Sequence, residues 1–359
     1  MTIVNFCTQA ESGSANARVR PWLVATWLAL CLLILLGLVA IGPTLRASLS
    51  DLPDMDWQPT THLLPPAADI DWRDTFKEVK RTPAYKAADV QITFKEFKKI
   101  YMVTWFEHTS LMFLIGLTFI PFLIFWLIGA VPVGAGWMIF AAISFLGLEY
   151  GHILSSAEMD THYHLAMHTV IFGAVCILIV WATLGTFDHR KKNLEDWQGT
   201  QAGAWLYLHG LMGAFFLIVA IIWGAFVTGL DAGLIYNQFP VMGEARLVPK
   251  EMWDLSPSWM NFVQNDAAVQ FTHRWLGMGV VLLLLSFAAH AMLAGIPGAA
   301  FPAMAVMALL QTGLGIMTLL SNINLYAQTV HLIGALILLG LMTACLRSLA
   351  ISGRSFLPK

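Results

Sequence analysis

Eight stretches of this chain are each long and apolar enough to cross a lipid bilayer, and this limits the fold more than anything else in the sequence. They run approximately over 22–43, 101–128, 134–155, 163–187, 203–229, 267–293, 298–320 and 325–350. About 20 apolar residues suffice for a crossing helix. Inside hydrocarbon every backbone N–H and C=O must be satisfied within the protein, which leaves helices or closed barrels. No alternating ten-residue strand pattern appears, so the segments read as helices and the chain as an all-α integral membrane protein. Composition agrees: 58% of the 359 residues are hydrophobic and 12% charged, against roughly 25% charged in soluble domains. The first segment follows Arg18 and Arg20 but has no small-residue cleavage site. It reads as a retained helix and not as a signal peptide.

The net charge is −2, and the basic residues sit in loops and at segment ends. They form no patch for nucleic acid, and the lipid bilayer is the expected surrounding partner. Arg18 and Arg20, the Arg190-Lys191-Lys192 run, and Arg347, Arg354 and Lys359 all fall on one side if there are eight crossings. By the excess of Lys and Arg in cytoplasmic loops, both termini are expected in the cytoplasm and the protein in a bacterial inner membrane. The connection bearing Glu158 and Asp160 fits the outer face. Cys7, Cys31, Cys176 and Cys345 are scattered and suggest neither a metal motif nor a disulfide.

The chain reads as two pseudo-symmetric four-helix bundles. The expected division is a cytoplasmic tail over 1–20, a first bundle over 21–187 with a long outer loop at 44–99, and a cytoplasmic linker at 188–202. A second bundle follows over 203–350 with an outer loop at 230–265, then a tail at 351–359. Histidine placement carries the repeat. The second helix of the first half holds WFEHTSL with His108, and that of the second half holds QFTHRWL with His273. The fourth helices hold LAMHTVIFGA with His168 and QTVHLIGALI with His331. His108 and His168 stand 60 positions apart, His273 and His331 58. The outer-loop stretches Trp57 to Phe76 and Gly229 to Pro249 are rich in Pro, Gly and aromatics, which suits lids packed over a site.

Ionisable residues inside a membrane bundle are costly and mark a pathway or a ligand. A zinc ion would want further N, S or O ligands, which neither pair recruits at recognisable spacing. A proton relay would add acids within the helices, where Glu107 and Glu149 are among the few. Two neutral imidazoles facing each other across a four-helix core fit bis-histidine haem ligation. Gly277, Gly334, Ala335, Ala166 and Gly173 are small residues that would let a macrocycle approach, and Arg274 would meet haem propionates near the outer surface. His152, His162 and His164 read as solvated or interfacial residues, His209 lacks a partner in the sequence, and Met278 and Met317 read as packing.

The stretches GAFVTGLDAGLIYNQFP, PSWMNF, VQFTHRWLG, LLQTGLGIMTLL and QTVHLIGALILL, with DWQPTTHLLPP, TPAYK, FKEFKKIY and YHLAMH earlier, resemble the heme A synthase family. The resemblance covers nearly the whole chain from about residue 20. It implies a haem b that passes electrons in the second half, ligated by His273 and His331. The substrate, haem O, would occupy the first half, with His168 matching one substrate-site histidine. At the other position an alignment from FKEFKKIY puts Glu107 at the histidine and His108 at the arginine that follows it, whereas one run back from LIGL puts His108 at the histidine with one inserted residue. The implied reaction oxidises a haem methyl to a hydroxymethyl and then to a hydrate that loses water to leave a formyl, giving haem A. Implied partners are a haem O synthase and cytochrome oxidase assembly factors, and a homo-oligomer is left open.

One motif departs from the family. Where the family shows E-x-x-H-R-x-x-G-R, this chain has TWFEHTSLMF, with the glutamate spacing broken and both arginines missing. Glu107 and His108 are adjacent, about 100° apart around a helix, and cannot replace an i, i+3 pair on one face. Glu107 and Glu149, the latter in EYGHILSS as E-x-x-H with His152, are the candidate catalytic carboxylates. Two alternatives stay open: a haem-binding homologue without catalysis that serves oxidase assembly or haem delivery, and a b-type membrane cytochrome.

Overall fold

The computed structural model describes residues 21–47, 64–82, 85–86, 92–155, 161–187, 201–244, 246–296 and 298–352. The tail expected at 1–20, most of the one expected at 351–359, most of the linker expected at 188–202, and Trp57 to Leu63 of the stretch read as a lid lie outside them. Among the described residues there is no strand, and eight helices are long and apolar enough to span a membrane. They are α1 (Pro21–Ala47), α3 (Phe94–Leu127), α4 (Val133–Ser155), α5 (Thr161–Gly185), α6 (Gln201–Gly229), α7 (Asp266–Leu293), α8 (Ala300–Leu320) and α9 (Leu325–Ser352), with α2 (Asp69–Arg81) between the first two. The protein is a multi-pass membrane protein.

In each set of four spanning helices, neighbours in sequence pack together and the first closes on the fourth. Thus α1 meets α3 and α5, and α4 lies between α3 and α5. Likewise α6 meets α7 and α9, and α8 lies between α7 and α9. Each set has its own apolar core. Leu28, Leu35, Leu114, Ile139, Leu146 and Ile179 fill the first, and Leu206, Leu284, Phe287, Phe301, Met304 and Met342 the second. Contacts of α5 with α6 and α9, and of α1 with α9, join the two.

Helix ends follow local chemistry. The sequence places the start of the second spanning segment near residue 101, whereas α3 begins at Phe94. The reason is a capping box: Thr93 N–H donates to Glu96 Oε2 at 2.6 Å, and Glu96 N–H donates to Thr93 Oγ1 at 3.3 Å. Such a cap typically contributes about 1 kcal/mol. The early turns of α3 support α2, whose Trp72, Phe76 and Val79 pack on Ile92, Phe97, Ile100 and Tyr101. Lys98 bridges to Asp69 at 2.7 Å. Part of the predicted lid between α1 and α3 is therefore an amphipathic helix.

Candidate functional site

In the second half, α7 carries His273 and α9 carries His331. Their ring centroids are 6.5 Å apart, with planes at 85°. His273 Nδ1 lies 3.1 Å from the Ala220 carbonyl oxygen. A carbonyl only accepts, so Nδ1 carries the proton and Nε2 keeps the lone pair that a metal would take. Gln311 of α8 holds the other ring: its amide nitrogen donates to the His331 carbonyl at 2.8 Å and stands 3.1 Å from His331 Nδ1.

A glycine on the adjoining helix lies beside each ring. A Cβ at Gly224 would stand 3.1 Å from His273 Cε1, and one at Gly315 would stand 2.9 Å from His331 Cε1. These two glycines, which the sequence reading did not single out, set the approach of the rings. Gly334, expected to admit a macrocycle, instead makes room for Gln311, whose Oε1 would meet a Cβ there at 2.3 Å. Gly173 faces Leu339 across the boundary between the halves. A Cβ at Gly277 would meet nothing within 4 Å.

Arg274 is tied to the loop between α6 and α7. One terminal nitrogen donates to the Gln238 carbonyl at 2.8 Å and the other to the Tyr236 carbonyl. Buried Gln270, one turn earlier on α7, also donates to the Tyr236 carbonyl at 3.0 Å. Tyr236 is fixed in turn by its hydroxyl, which donates to Glu251 at 2.6 Å. That bond pushes the tyrosine up to about 12 and holds the Glu251 carboxyl below its usual range. Asn261 and Asn265 pin the rest of the loop to backbone groups of Leu255, Ser258, Glu251 and Ala268. The loop is a folded cover on the end of α7, as its composition suggested.

The residues present fit a haem. Two metal–imidazole bonds of about 2 Å each put ring centroids about 6 Å apart, close to the separation found. Among the described residues Arg274 Nε, Trp223 Nε1 and Thr329 Oγ1 are buried without a hydrogen-bond partner. Buried polar atoms are nearly always paired. Their grouping on the helices that carry or flank the two rings suits a ligand with carboxylate arms.

The first half is built differently. Glu149 of α4 is fully buried and bonded to Nδ1 of His168 on α5. His152, His164 and His168 gather there, with ring centroids 4.6 Å (152–164), 5.1 Å (152–168) and 4.3 Å (164–168) apart. His162 is 6% exposed and packs on Tyr163 and Phe226. His162 is thus buried and not solvated, whereas His152 and His164 are half-buried near the ends of α4 and α5, which leaves their reading as interfacial residues standing, with their rings gathered at His168. The available signal was spacing, since His164 and His168 stand at i, i+4 and share a face.

His108 is half-buried with its ring against Tyr150 of α4, 6.3 Å between centroids, and Glu107 precedes it on α3. The imidazoles gathered at His168 are His152 and His164. His209 also has partners, His290 at 3.4 Å and Ser286 at 3.1 Å.

The sequence model of the family described as "Cytochrome oxidase assembly protein" matches residues 25–343, nearly all of the helical body. A heme A synthase of Rhodospirillum centenum is 34% identical over 345 residues, covering 92% of this chain and 89% of the relative. One from Wolbachia pipientis subsp. Culex pipiens is 32% identical, covering 91% and 97%, and one from Paramagnetospirillum magneticum is 32% identical, covering 96% and 97%. The chain belongs to this family of cytochrome oxidase assembly proteins, as a member of its heme A synthase group.

Proposed function

We propose that the protein oxidises a methyl group of haem O to a formyl group, producing haem A for a terminal oxidase. The reading places it in a bacterial inner membrane with both termini cytoplasmic and the folded loops on the outer side. Its two four-helix halves are related by pseudo-symmetry and differ in task. The observation that carries the reading is the facing pair His273 and His331, each steadied by a glycine and by a polar group of the adjoining helix, in a chain of this family. Haem b, when bound there, supplies one-electron transfer. Ala220 fixes the proton on His273 Nδ1, Gln311 orients His331, and Arg274 keeps positive charge at the loop-bearing end.

In the first half, His108 and His168 are assigned to the substrate haem. Glu149 is the carboxylate best set to hold a proton, because it is bonded to His168 and its Oε2 is buried without a hydrogen-bond partner among the described residues. Glu107 is the second candidate. A haem O synthase and oxidase assembly factors are the expected partners.

The test is co-expression with a haem O supply followed by pigment extraction. Formyl-bearing haem A is the expected product, and its absence at normal haem b occupancy would sink the reading. The altered motif TWFEHTSLMF favours one rival, a haem-binding homologue without catalysis that serves oxidase assembly. That rival predicts haem b without haem A.

A further inference from the structure

The first half contains a cluster that haem ligation does not account for. His152, His164 and His168 each offer a ring nitrogen, and these atoms lie within 4.8 Å of one another. Two come from one face of α5 and the third from α4, which packs along it. A haem iron accepts at most two axial imidazoles, since the macrocycle fills its other positions, so a third histidine has no place in such a site. A small ion uses all three. We propose that His152, His164 and His168 form a binding site for one divalent transition-metal ion, with Glu149 orienting His168 from outside the coordination sphere.

The donor chemistry selects the ion class. Imidazoles suit zinc, copper, nickel and iron, whereas magnesium and calcium take oxygen ligands. Metal–imidazole bonds of about 2 Å hold ligand nitrogens on one ion at most about 4 Å apart. The present spread closes onto an ion with side-chain shifts on the order of an ångström. Three protein ligands leave the fourth position of a tetrahedral ion open for water or another ligand.

Glu149 is the independent observation. Its carboxylate is fully buried in the bundle, one oxygen is bonded to His168 Nδ1 and the other has no hydrogen-bond partner among the described residues. Bonding through Nδ1 makes Nε2 of His168 the ligand nitrogen, as in the carboxylate–histidine–metal arrangements that steady metal sites. Burying a carboxylate is costly, and a bound cation offsets that cost. His168 is also assigned above to the substrate haem, so on that reading the ion and haem O exclude each other at this histidine.

The test uses the full chain purified in detergent without haem O. Zn²⁺ binding is measured by equilibrium dialysis and Cu²⁺ by electron paramagnetic resonance. The expected result is one ion per chain, with nitrogen hyperfine structure for Cu²⁺ and no competition from Mg²⁺. His152→Ala and His164→Ala should each abolish the site, and Glu149→Gln should weaken it about 10- to 100-fold, with all three variants eluting as monodisperse protein. Unchanged ion affinity in the two histidine variants, or no ion bound to the unaltered chain, would overturn the proposal. Neither haem O nor turnover enters the assay, so its failure is distinct from failure of the proposed synthase activity.

Discussion

At the scale of single residues, the second-half pair depends on what lies beside each ring as much as on the rings themselves. His273→Ala or His331→Ala should abolish the low-spin haem absorbance of the purified protein; a spectrum that survives both changes would remove the ligand assignment. Gly315→Ala brings a methyl carbon to 2.9 Å from His331 Cε1, a separation that forces the ring to move. We expect a marked loss of haem occupancy, read as absorbance per polypeptide. Gly313→Ala, an exposed position on the same helix with nothing within 4 Å of the new carbon, should leave it unchanged. The facing of His273 and His331 was legible because an imidazole in an apolar run stands out, whereas the gathering of His152 and His164 at His168 was not. The ring-supporting role of Gly224 and Gly315 was not, since glycine is common in these helices and only the distance to a ring on another helix distinguishes those two. Glu149 was legible as a candidate but not as a partner of His168, a contact made between two helices.

At the scale of elements, the sequence located the eight spans to within a few residues at most ends, because hydrocarbon thickness dictates their length. It misplaced the start of α3, where a polar capping box carries the helix beyond the apolar run. It also missed α2, whose amphipathic period is short and lies in a stretch read as a lid. The loop between α6 and α7 allows a pH prediction. Glu251 has a lowered carboxyl pKa in the folded state, so its stabilisation is complete above the ordinary glutamate value and is lost as pH falls through the lowered one. Tyr236 is raised to about 12, so its stabilisation is complete below the ordinary tyrosine value of about 10 and is lost as pH rises through the raised one. Protection of the amides across Ile235 to Val241, taken relative to the intrinsic exchange rate at each pH, should therefore be greatest near neutrality and fall in acid. Tyr236→Phe should lower it at neutral pH, by loosening the carbonyl that receives Arg274 and Gln270. Equal exchange in the variant would show that the loop is held elsewhere.

At the scale of the molecule, histidine spacing pointed to two halves; what the contacts show is that in each run of four spanning helices sequence neighbours pack together and the first meets the fourth. What spacing could not convey is how unlike the two histidine sites are. One is a facing pair between α7 and α9, the other a cluster at the ends of α4 and α5, and side chains at helix ends are directed by where the helix stops. At Gly229 the backbones of the two halves come close. A Cβ at Gly229, the last residue of α6, would stand 2.3 Å from His162 Cα and 2.9 Å from its nitrogen. Main chain cannot move aside as a side chain can, so Gly229→Ala should lower stability by about 1–3 kcal/mol, the range for overpacking, seen as a lower melting temperature in detergent. The same change should disturb the first-half cluster, because His162 lies two residues before His164. Contact between two backbones also sets a minimum that side-chain substitution cannot alter. Neighbouring residues can drift in size and polarity while the interval between the two sites stays the same, as long as position 229 has no side chain.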